Sequence, residues 1–222
     1  MIKMLGGGAT LLAHTELIDV SNLDESGEII AADDRRRGFH DANLNWHTDV
    51  SFDANRGVYS MLSAKVLPPT GGDKDFADMR DAFQALAAER QAELAELEAE
   101  HSIWYSPARG GFTEVSEDEK ATRPPSRQPL VLANPRTGEK ALYLASHASH
   151  IIGWPEDAGR ALLDELMDYA TEERFTYSHI WRAGNVVMWD NQATMHRATE
   201  FDGLDHVRDM RRVTTLEREM AL

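Results

Sequence analysis

The chain of 222 residues contains no cysteine. It therefore lacks both a disulfide framework and a thiolate metal site, so any bound metal must be held by histidine and carboxylate side chains. Basic residues are also few, with 23 lysines and arginines against 38 aspartates and glutamates and a net charge of −15. Such a surface would repel phosphates rather than neutralise them, which argues against a nucleic-acid partner.

Long apolar runs are missing as well. The longest apolar stretches span only a few residues, and Met1 to Ala13 has no convincing apolar signal core, so neither a membrane span nor a secretion signal is supported. We expect a cytoplasmic protein without a membrane partner, and the lack of cysteine fits a reducing compartment. The length suits one domain over residues 1–222, because all-β sandwiches and barrels often reach it.

The chain does contain histidine and carboxylate residues in an informative order. His47 and Asp49 stand two apart, and in an extended segment such residues point to the same side. The distant His196 would complete two imidazoles and one carboxylate on one face, a set that suits non-haem Fe(II) and leaves positions open for a co-substrate and oxygen. A lone His-x-Asp is weak evidence, but Arg208, twelve residues beyond His196, adds a further coincidence.

Residue periodicity predicts a β-rich chain with helices outside. Strands are expected at residues 57–67, 130–133, 141–144, 175–181, 185–189 and 210–216, and helices at residues 77–100 and 155–173. Residues 102–128 show no clear period, and we interpret them as a loop insert that is a lid, a binding loop or a disordered surface segment. The pattern is compatible with a double-sheet jelly roll whose open end holds the metal.

Five segments carry a more specific pattern: Trp46–Phe52, Leu67–Asp73, Phe76–Arg80, Ala145–His150 and Met188–Arg197. Together they resemble the TauD/TfdA family of Fe(II)- and 2-oxoglutarate-dependent dioxygenases, and the likeness extends from about Leu5 onward. The Phe76–Arg80 and Ala145–His150 segments lean toward its 2,4-dichlorophenoxyacetate dioxygenase branch. The resemblance implies a double-stranded β-helix core with α insertions, and oxidative hydroxylation that uses Fe(II), 2-oxoglutarate and O2.

The resemblance also implies roles for single residues. His47, Asp49 and His196 would be the catalytic iron ligands, and Arg208 would pair with the distal carboxylate of 2-oxoglutarate, because a guanidinium forks onto a carboxylate and stays charged. Arg212 follows four residues later on the same predicted strand and so faces the same side. It is similar to the family arginine that meets an acidic substrate or the near carboxylate of the co-substrate. Two solvated surface arginines are the alternative.

Two features depart from the family pattern. Lys74 stands where the family commonly has a threonine that hydrogen-bonds the co-substrate. The lysine either supplies a charged donor to the same carboxylate or points to solvent. Relatives also have an additional N-terminal region before the segment that matches Leu5 to Asn22, so either the gene start is misplaced or the protein is naturally short. Exposed sheet edges would then favour a homo-oligomer.

The implied substrate is a small organic anion, aryloxyalkanoate-like or a sulfonate, that is hydroxylated with release of succinate and CO2. Arg212 would anchor its charge, with Asn43, Val50 and His147 as further candidate contacts. A histidine that bonds its own loop is the alternative for His147. Two other function classes stay open, a zinc-dependent hydrolase with a similar His-Asp-His site and a truncated, inactive binding protein of the same fold. A hydrolase would have no need of a carboxylate clamp at Arg208.

Overall fold

A computed structural model describes residues 17–34, 36–106 and 116–219. The strands in these ranges are β1 (Ile18–Asp19), β2 (Gly57–Val66), β3 (Lys74–Asp78), β4 (Glu98–His101), β5 (Ser126–Pro129), β6 (Val131–Ala133), β7 (Lys140–Leu142), β8 (Ala148–Ile151), β9 (Thr176–His179), β10 (Val186–Asp190), β11 (Thr194–Ala198) and β12 (Asp209–Leu216). The helices are α1 (Arg36–Ala42), α2 (Met79–Gln84), α3 (Ala88–Ala95), α4 (Glu117–Thr122) and α5 (Glu156–Ala170), with single 3-10 turns at Glu173–Phe175 and Glu217–Glu219.

The strands pair into antiparallel sheets. The first sheet has the order β1-β12-β2-β10 and the second has the order β11-β3-β9. A third sheet has the order β5-β4-β8, and β6 and β7 form a separate hairpin. The chain is therefore mainly β with some helices, as its sequence predicted. None of the helices in the described ranges has the length and apolar character needed to cross a membrane.

A small apolar core joins the first two sheets. Along β2 the side chains alternate, and the buried Leu62 and Ala64 pack with Met210 of β12 and Trp189 of β10. Phe76 of β3 packs edge-on against Trp189, with ring centroids 5.6 Å apart. Because this alternation turns one face of each strand inward, the polar residues interspersed among the apolar ones also point into the space between the sheets.

The larger core lies under the helices. Leu162, Leu163 and Leu166 form the buried stripe of α5, at the spacing expected for one face of a helix. They belong to one cluster with Met79 and Phe83 of α2. Burying each such side chain stabilises the fold by about 1.5–3 kcal/mol relative to leaving it exposed. This core supports the third sheet and the hairpin, whereas the polar residues described below lie nearer the small core.

Most of the predicted elements are confirmed. The strand expected at residues 57–67 is β2, the predicted hairpin is β6 and β7, and the last three predicted strands are β9, β10 and β12. The second predicted helix is α5, with Pro155 at its N-cap, where the missing N–H of proline costs nothing. Gly138 ends the hairpin turn with a φ of 74°, a backbone conformation that favours glycine.

The single helix predicted for residues 77–100 is wrong. Its first part belongs to β3, which is paired on both sides by β11 and β9. Asp78 then caps α2 by accepting hydrogen bonds from the next backbone amides, and the side chain of Gln91 binds three carbonyls at the break between α2 and α3. The last part forms β4. Cross-strand pairing and burial thus outweigh the favourable helix propensity of this segment.

Residues 102–128 contain more regular structure than the predicted loop. They include α4 and the start of β5. Ser116 and Glu119 form a reciprocal capping box at the start of α4. Residues 107–115 lie outside the described ranges, so the proposed role of this segment as a lid stays a prediction.

Candidate active site

The two distant histidines of the predicted set meet through the backbone. The amide of His47 donates to the carbonyl of His196 at 2.9 Å, and the amide of His196 donates back at 2.8 Å. Asp49 follows two residues after His47. One ligand atom from each of the three side chains lies within 4.8 Å of the others, and all three side chains are buried. The structure therefore brings together the set that the sequence pointed to.

A tight turn, rather than a strand, positions the carboxylate. Val50 has a φ of 61°, which is a strained conformation for a β-branched residue. Gly57 lies against this turn, and a Cβ atom at Gly57 would come within 2.7 Å of the Asp49 carbonyl oxygen. The side chains of His47 and Asp49 point to the same side, as predicted, and the backbone turns immediately after Asp49.

Both imidazoles are neutral and offer lone pairs. Burial lowers the pKa of His47 to about 4 and holds the pKa of His196 well below its usual range. The Nδ1 atom of His47 lies 2.8 Å from the carbonyl oxygen of Asn45, which can only accept, so Nδ1 carries the proton and Nε2 has the free lone pair. Within the described ranges neither ring nitrogen of His196 has a hydrogen-bond partner. Neutral imidazoles with free lone pairs are suited to metal ligation.

The carboxylate of Asp49 is ionised and held on both oxygens. Burial alone would raise the pKa of Asp49, but the charge of Arg212 and other nearby groups outweighs burial and lowers it. Arg212 Nη1 donates to Oδ1 at 2.6 Å, and Ser60 Oγ donates to Oδ2 at 2.7 Å. The same oxygens lie 4.0 Å from His47 Nε2 and 3.8 Å from His196 Nε2. Two neutral imidazoles and one carboxylate form the donor set that non-haem Fe(II) prefers.

A cavity of about 330 Å³ lies between the first two sheets and α1. This volume is at the lower end of the range for small-molecule sites. Its lining includes the predicted residues Asn43, Lys74, Arg208 and Arg212, together with Asn22, His40, Leu62 and Phe201. Arg212 also contacts Asp49, so the cavity and the three-residue cluster are parts of one site.

Arg208 lines this cavity as a buried cation. Its side chain is 7% exposed, and its Nε donates to the carbonyl of Gly72 at 3.0 Å. In the part of the chain that the structure describes, the two Nη atoms have no hydrogen-bond partner. Burial lowers the pKa of Arg208 to about 10, so the guanidinium is still charged at neutral pH. Its fork of donors therefore faces the cavity ready for an anion.

Lys74 also points inward. It lies on β3 with 7% exposure, and its Nζ is 5.0 Å from the centroid of the Trp189 ring. Burial lowers the pKa of Lys74 to about 7. The alternative that this lysine points to solvent is therefore wrong. Arg208 precedes β12 and Arg212 lies on it, yet both line the cavity, which agrees with the predicted common side.

The remaining candidate residues separate in space. Asn43 lines the cavity, whereas Val50 and His147 lie outside its lining. The His147 ring lies 5.9 Å from the His47 ring and 5.2 Å from that of Phe52, and burial lowers the pKa of His147 to about 3. Its Nδ1 has no partner among the described residues, so the alternative of a histidine that bonds its own loop is not what the structure shows.

Sequence reasoning missed several residues of the site. His40 lines the cavity, and no motif around it marks it in the sequence. Ser60 holds the carboxylate of Asp49, and nothing in the sequence around β2 marks it. Asn191 donates to Ser60 and lies inside the Met188–Arg197 segment, so the motif in that segment could have identified Asn191 as a residue of the site.

Comparison with known proteins gives a consistent result. Residues 7–214 match the model of the family described as "Taurine catabolism dioxygenase TauD, TfdA family". The chain is 43% identical over 209 residues to an α-ketoglutarate-dependent 2,4-dichlorophenoxyacetate dioxygenase of Burkholderia sp. (strain RASC), covering 94% of this chain and 70% of that protein. It is 32% identical to an (S)-phenoxypropionate/α-ketoglutarate-dioxygenase of Sphingobium herbicidovorans, covering 84% of this chain and 68% of that protein.

Solved structures agree with the sequence comparisons. The crystal structure of AAD-2 in complex with Mn(II) and N-oxalylglycine is similar to this chain with a TM-score of 0.87 and 44% identity, covering 90% of this chain and 73% of that one. A putative α-ketoglutarate-dependent 2,4-D dioxygenase from Burkholderia xenovorans has a TM-score of 0.80 and 39% identity, covering 87% and 74%.

Proposed function

The chain belongs to the taurine catabolism dioxygenase TauD, TfdA family, and we propose that it hydroxylates a small organic anion of the aryloxyalkanoate type. It is a dioxygenase that depends on Fe(II), 2-oxoglutarate and O2. Iron and 2-oxoglutarate together supply the oxidising chemistry, in which one oxygen atom enters a C–H bond and 2-oxoglutarate becomes succinate and CO2. The observation that carries the proposal is the buried cluster of His47, Asp49 and His196 beside a cationic cavity.

We assign iron binding to these three residues. The donor set fits the ion because both imidazoles are neutral, the carboxylate is charged, and the ring nitrogens of His196 lack protein partners in the described ranges. Three protein ligands on one side of the ion leave its other positions for small molecules. Residues on β2 and β12 fix the carboxylate, so the ligands are oriented before the ion arrives.

The cavity residues then hold the co-substrate. Arg208 can grip the distal carboxylate of 2-oxoglutarate with the two Nη atoms that have no described protein partner. Lys74 supplies a second cation from the facing strand β3, as a point charge where relatives commonly have a hydroxyl. Arg212 lies between this cavity and Asp49, where it can meet the near carboxylate or the charge of the substrate.

The substrate class follows from charge and from the relatives. Relatives that act on 2,4-dichlorophenoxyacetate and (S)-phenoxypropionate are named for carboxylic acids with an aryl ether. We propose that Arg212 anchors such a carboxylate and that Asn43, Val50 and His147 form further contacts. Hydroxylation of the carbon beside the ether oxygen would give a hemiacetal that collapses to a phenol and an oxo acid. Orientation of the anchored acid would then decide which C–H bond reacts.

The finer fold and the setting of the protein are also proposals. Two antiparallel sheets that share one apolar core, with His196 on β11 of the second sheet, support a double-stranded β-helix, or jelly-roll, core. We also propose a cytoplasmic setting, which the lack of cysteine supports, and a homo-oligomeric assembly.

A substrate-panel assay tests the proposal. Aryloxyalkanoates, sulfonates and sulfate esters would be incubated with the protein, Fe(II), 2-oxoglutarate and O2, and succinate and oxidised product would be measured separately. With an aryloxyalkanoate we expect the amount of succinate to match the amount of oxidised product. We expect neither succinate nor oxidised product from His196→Ala. Full turnover with zinc alone would instead identify a hydrolase. Succinate formation that no member of the panel stimulates would remove the substrate class.

A further inference from the structure

A buried chain of polar side chains leads from Trp189 to the carboxylate of Asp49. Trp189 Nε1 donates to Asn191 Oδ1 at 2.9 Å, Asn191 Nδ2 donates to Ser60 Oγ at 2.9 Å, and Ser60 Oγ reaches Asp49 Oδ2 at 2.7 Å. Ser60 is 0% exposed and Asn191 is 1% exposed. The backbone amide of Asp49 also donates to Asn191 Oδ1 at 3.3 Å. Asn191 therefore contacts Asp49 directly through the backbone and indirectly through Ser60.

The direction of every hydrogen bond in this chain is determined by its ends. An indole nitrogen and a backbone amide can only donate, so the Asn191 atom that they share must be the oxygen. The Nδ2 group must then face Ser60, whose oxygen receives this hydrogen bond. An ionised carboxylate can only accept, so the hydroxyl hydrogen of Ser60 points to Asp49. Thr214 Oγ1, 2.8 Å from Ser60 Oγ, completes the surroundings of the hydroxyl.

The register of the first sheet places these groups next to each other. Trp189 on β10 pairs with Ser60 on β2, and Asn191 follows directly after β10. The hydrogen bonds between β2 and β10 already join the strands, so the side-chain network is not needed to form the sheet. The network ends instead on Asp49 Oδ2, and this oxygen also lies 3.8 Å from His196 Nε2.

We infer that Ser60 and Asn191 are positioning residues for the carboxylate ligand, an inference that rests on the proposed iron site. Ser60 fixes the rotation of the Asp49 carboxylate from one side, while Arg212 fixes it from the other through Oδ1. Asn191 acts through Ser60, because its amide donates to the hydroxyl oxygen and so directs the hydroxyl hydrogen away from Asn191, where Asp49 Oδ2 accepts it. Partners that orient a metal ligand in this way typically change metal affinity by about 10–100-fold when they are removed.

Metal affinity, measured without 2-oxoglutarate or turnover, tests this role. Mn(II) would be titrated into the protein and free Mn(II) followed by electron paramagnetic resonance. Ser60→Ala should bind Mn(II) about 10–100-fold more weakly than the unchanged protein. Ser60→Cys, whose thiol donates more weakly than a hydroxyl, should fall between the two. Far-UV circular dichroism and thermal melting of each variant show whether it is folded, and Ser60→Cys decides the result if Ser60→Ala is not.

Ser178 provides a matched control. Its hydroxyl donates to the buried carboxylate of Asp75 at 2.6 Å, a contact of the same kind that involves none of the three proposed ligands. Ser178→Ala should leave Mn(II) affinity within about twofold, since it removes no partner of a ligand. An excess of Fe(II) should restore succinate formation in Ser60→Ala, whereas a defect unrelated to the metal would persist.

A double-mutant cycle tests the claim that Asn191 acts through Ser60. Asn191→Ala should weaken Mn(II) binding in the unchanged background but much less in the Ser60→Ala background. Independent, additive effects would overturn that claim, and a folded Ser60→Ala variant with unchanged Mn(II) affinity would overturn the inference. If His196→Ala bound Mn(II) as well as the unchanged protein, the iron site itself would be wrong. The two failures are therefore distinguishable.

Discussion

The carboxylate of Asp49 and the cavity beside it satisfy their charges in different ways. Both oxygens of Asp49 receive a donor within 2.7 Å, and one of these donors, Ser60, is itself held by Asn191 and Thr214. Two of the cavity cations, Arg208 and Lys74, have fewer partners. Among the described residues, the guanidinium of Arg208 donates only from Nε, and the ammonium of Lys74 lies over an indole ring.

This difference separates a prearranged region from a ligand-dependent one. Around Asp49 the protein has already oriented the carboxylate that we propose as a metal ligand, so little reorganisation should accompany metal binding. In the cavity, burial lowers the pKa of both Lys74 and Arg208, and an anion that binds there would offset the cost of burying these charges. The four predictions below perturb one region and then the other, in order of decreasing effect.

Removal of a proposed metal ligand should have the largest effect. His196→Ala and His47→Ala should each abolish the weak visible charge-transfer band of the anaerobic complex with Fe(II) and 2-oxoglutarate, because the ion loses one of three protein ligands. His150→Ala is the matched control, since this histidine is bound to Ser149 away from the cluster. A band that persists in either variant would remove that histidine from the ligand set.

Loss of the Arg208 guanidinium should weaken co-substrate binding next. Arg208→Ala leaves a carboxylate of 2-oxoglutarate unpaired in a buried site, which should cost about 3 kcal/mol or more, roughly a hundredfold in affinity. Lys74→Ala should cost less, because a flexible ammonium is a supplementary donor. Titration of 2-oxoglutarate into the metal-loaded variants measures the affinity of each. Arg90→Ala, a substitution away from the cavity, is the control. Unchanged affinity in Arg208→Ala would contradict the assignment.

Lys74 should destabilise the protein free of metal and co-substrate at neutral pH. Its pKa is about 7 in the folded state against an ordinary 10.5, so the unfolded chain holds the proton more tightly between these values. Stability contributed by this group is therefore present above about pH 10.5 and is lost as the pH falls toward 7.

Replacing this lysine should remove that pH dependence. Lys74→Met should raise the free energy of unfolding at pH 7, and this difference between the variant and the unchanged protein should shrink toward pH 10. Urea denaturation at several pH values measures the difference. A constant difference across this range would show that the ammonium is not the cause.

Arg212 should produce the smallest and most selective effect. Arg212→Leu should raise the Michaelis constant for an aryloxyalkanoic acid about tenfold relative to that for its neutral amide, because only the acid carries the charge that Arg212 would read. The ratio of acid to amide cancels any change in the orientation of Asp49, which Arg212 also contacts. Equal effects on acid and amide would leave Arg212 as a residue that supports Asp49 or the co-substrate.

The sequence allowed much of the site to be predicted because the chemistry restricts residue types. Few arrangements place two histidines, one carboxylate and a following arginine in this order by chance, and the structure brings them together. The helix predicted at residues 77–100 was wrong because composition does not determine strand pairing. The composition of this segment favours a helix, but its first residues, Ala77 and Asp78, belong to β3. That strand pairs with β9 and β11, which come about a hundred residues later.

The sequence by itself determined the family, the residue types of the proposed metal ligands and the positive charge of the cavity, since these are properties of single side chains and short motifs. Only the tertiary structure decided that Lys74 points inward, that His40 and Asn43 share its cavity, and that Ser60 supports Asp49. Each of these contacts joins residues far apart in the chain. They depend on strand register and burial, which local sequence does not encode.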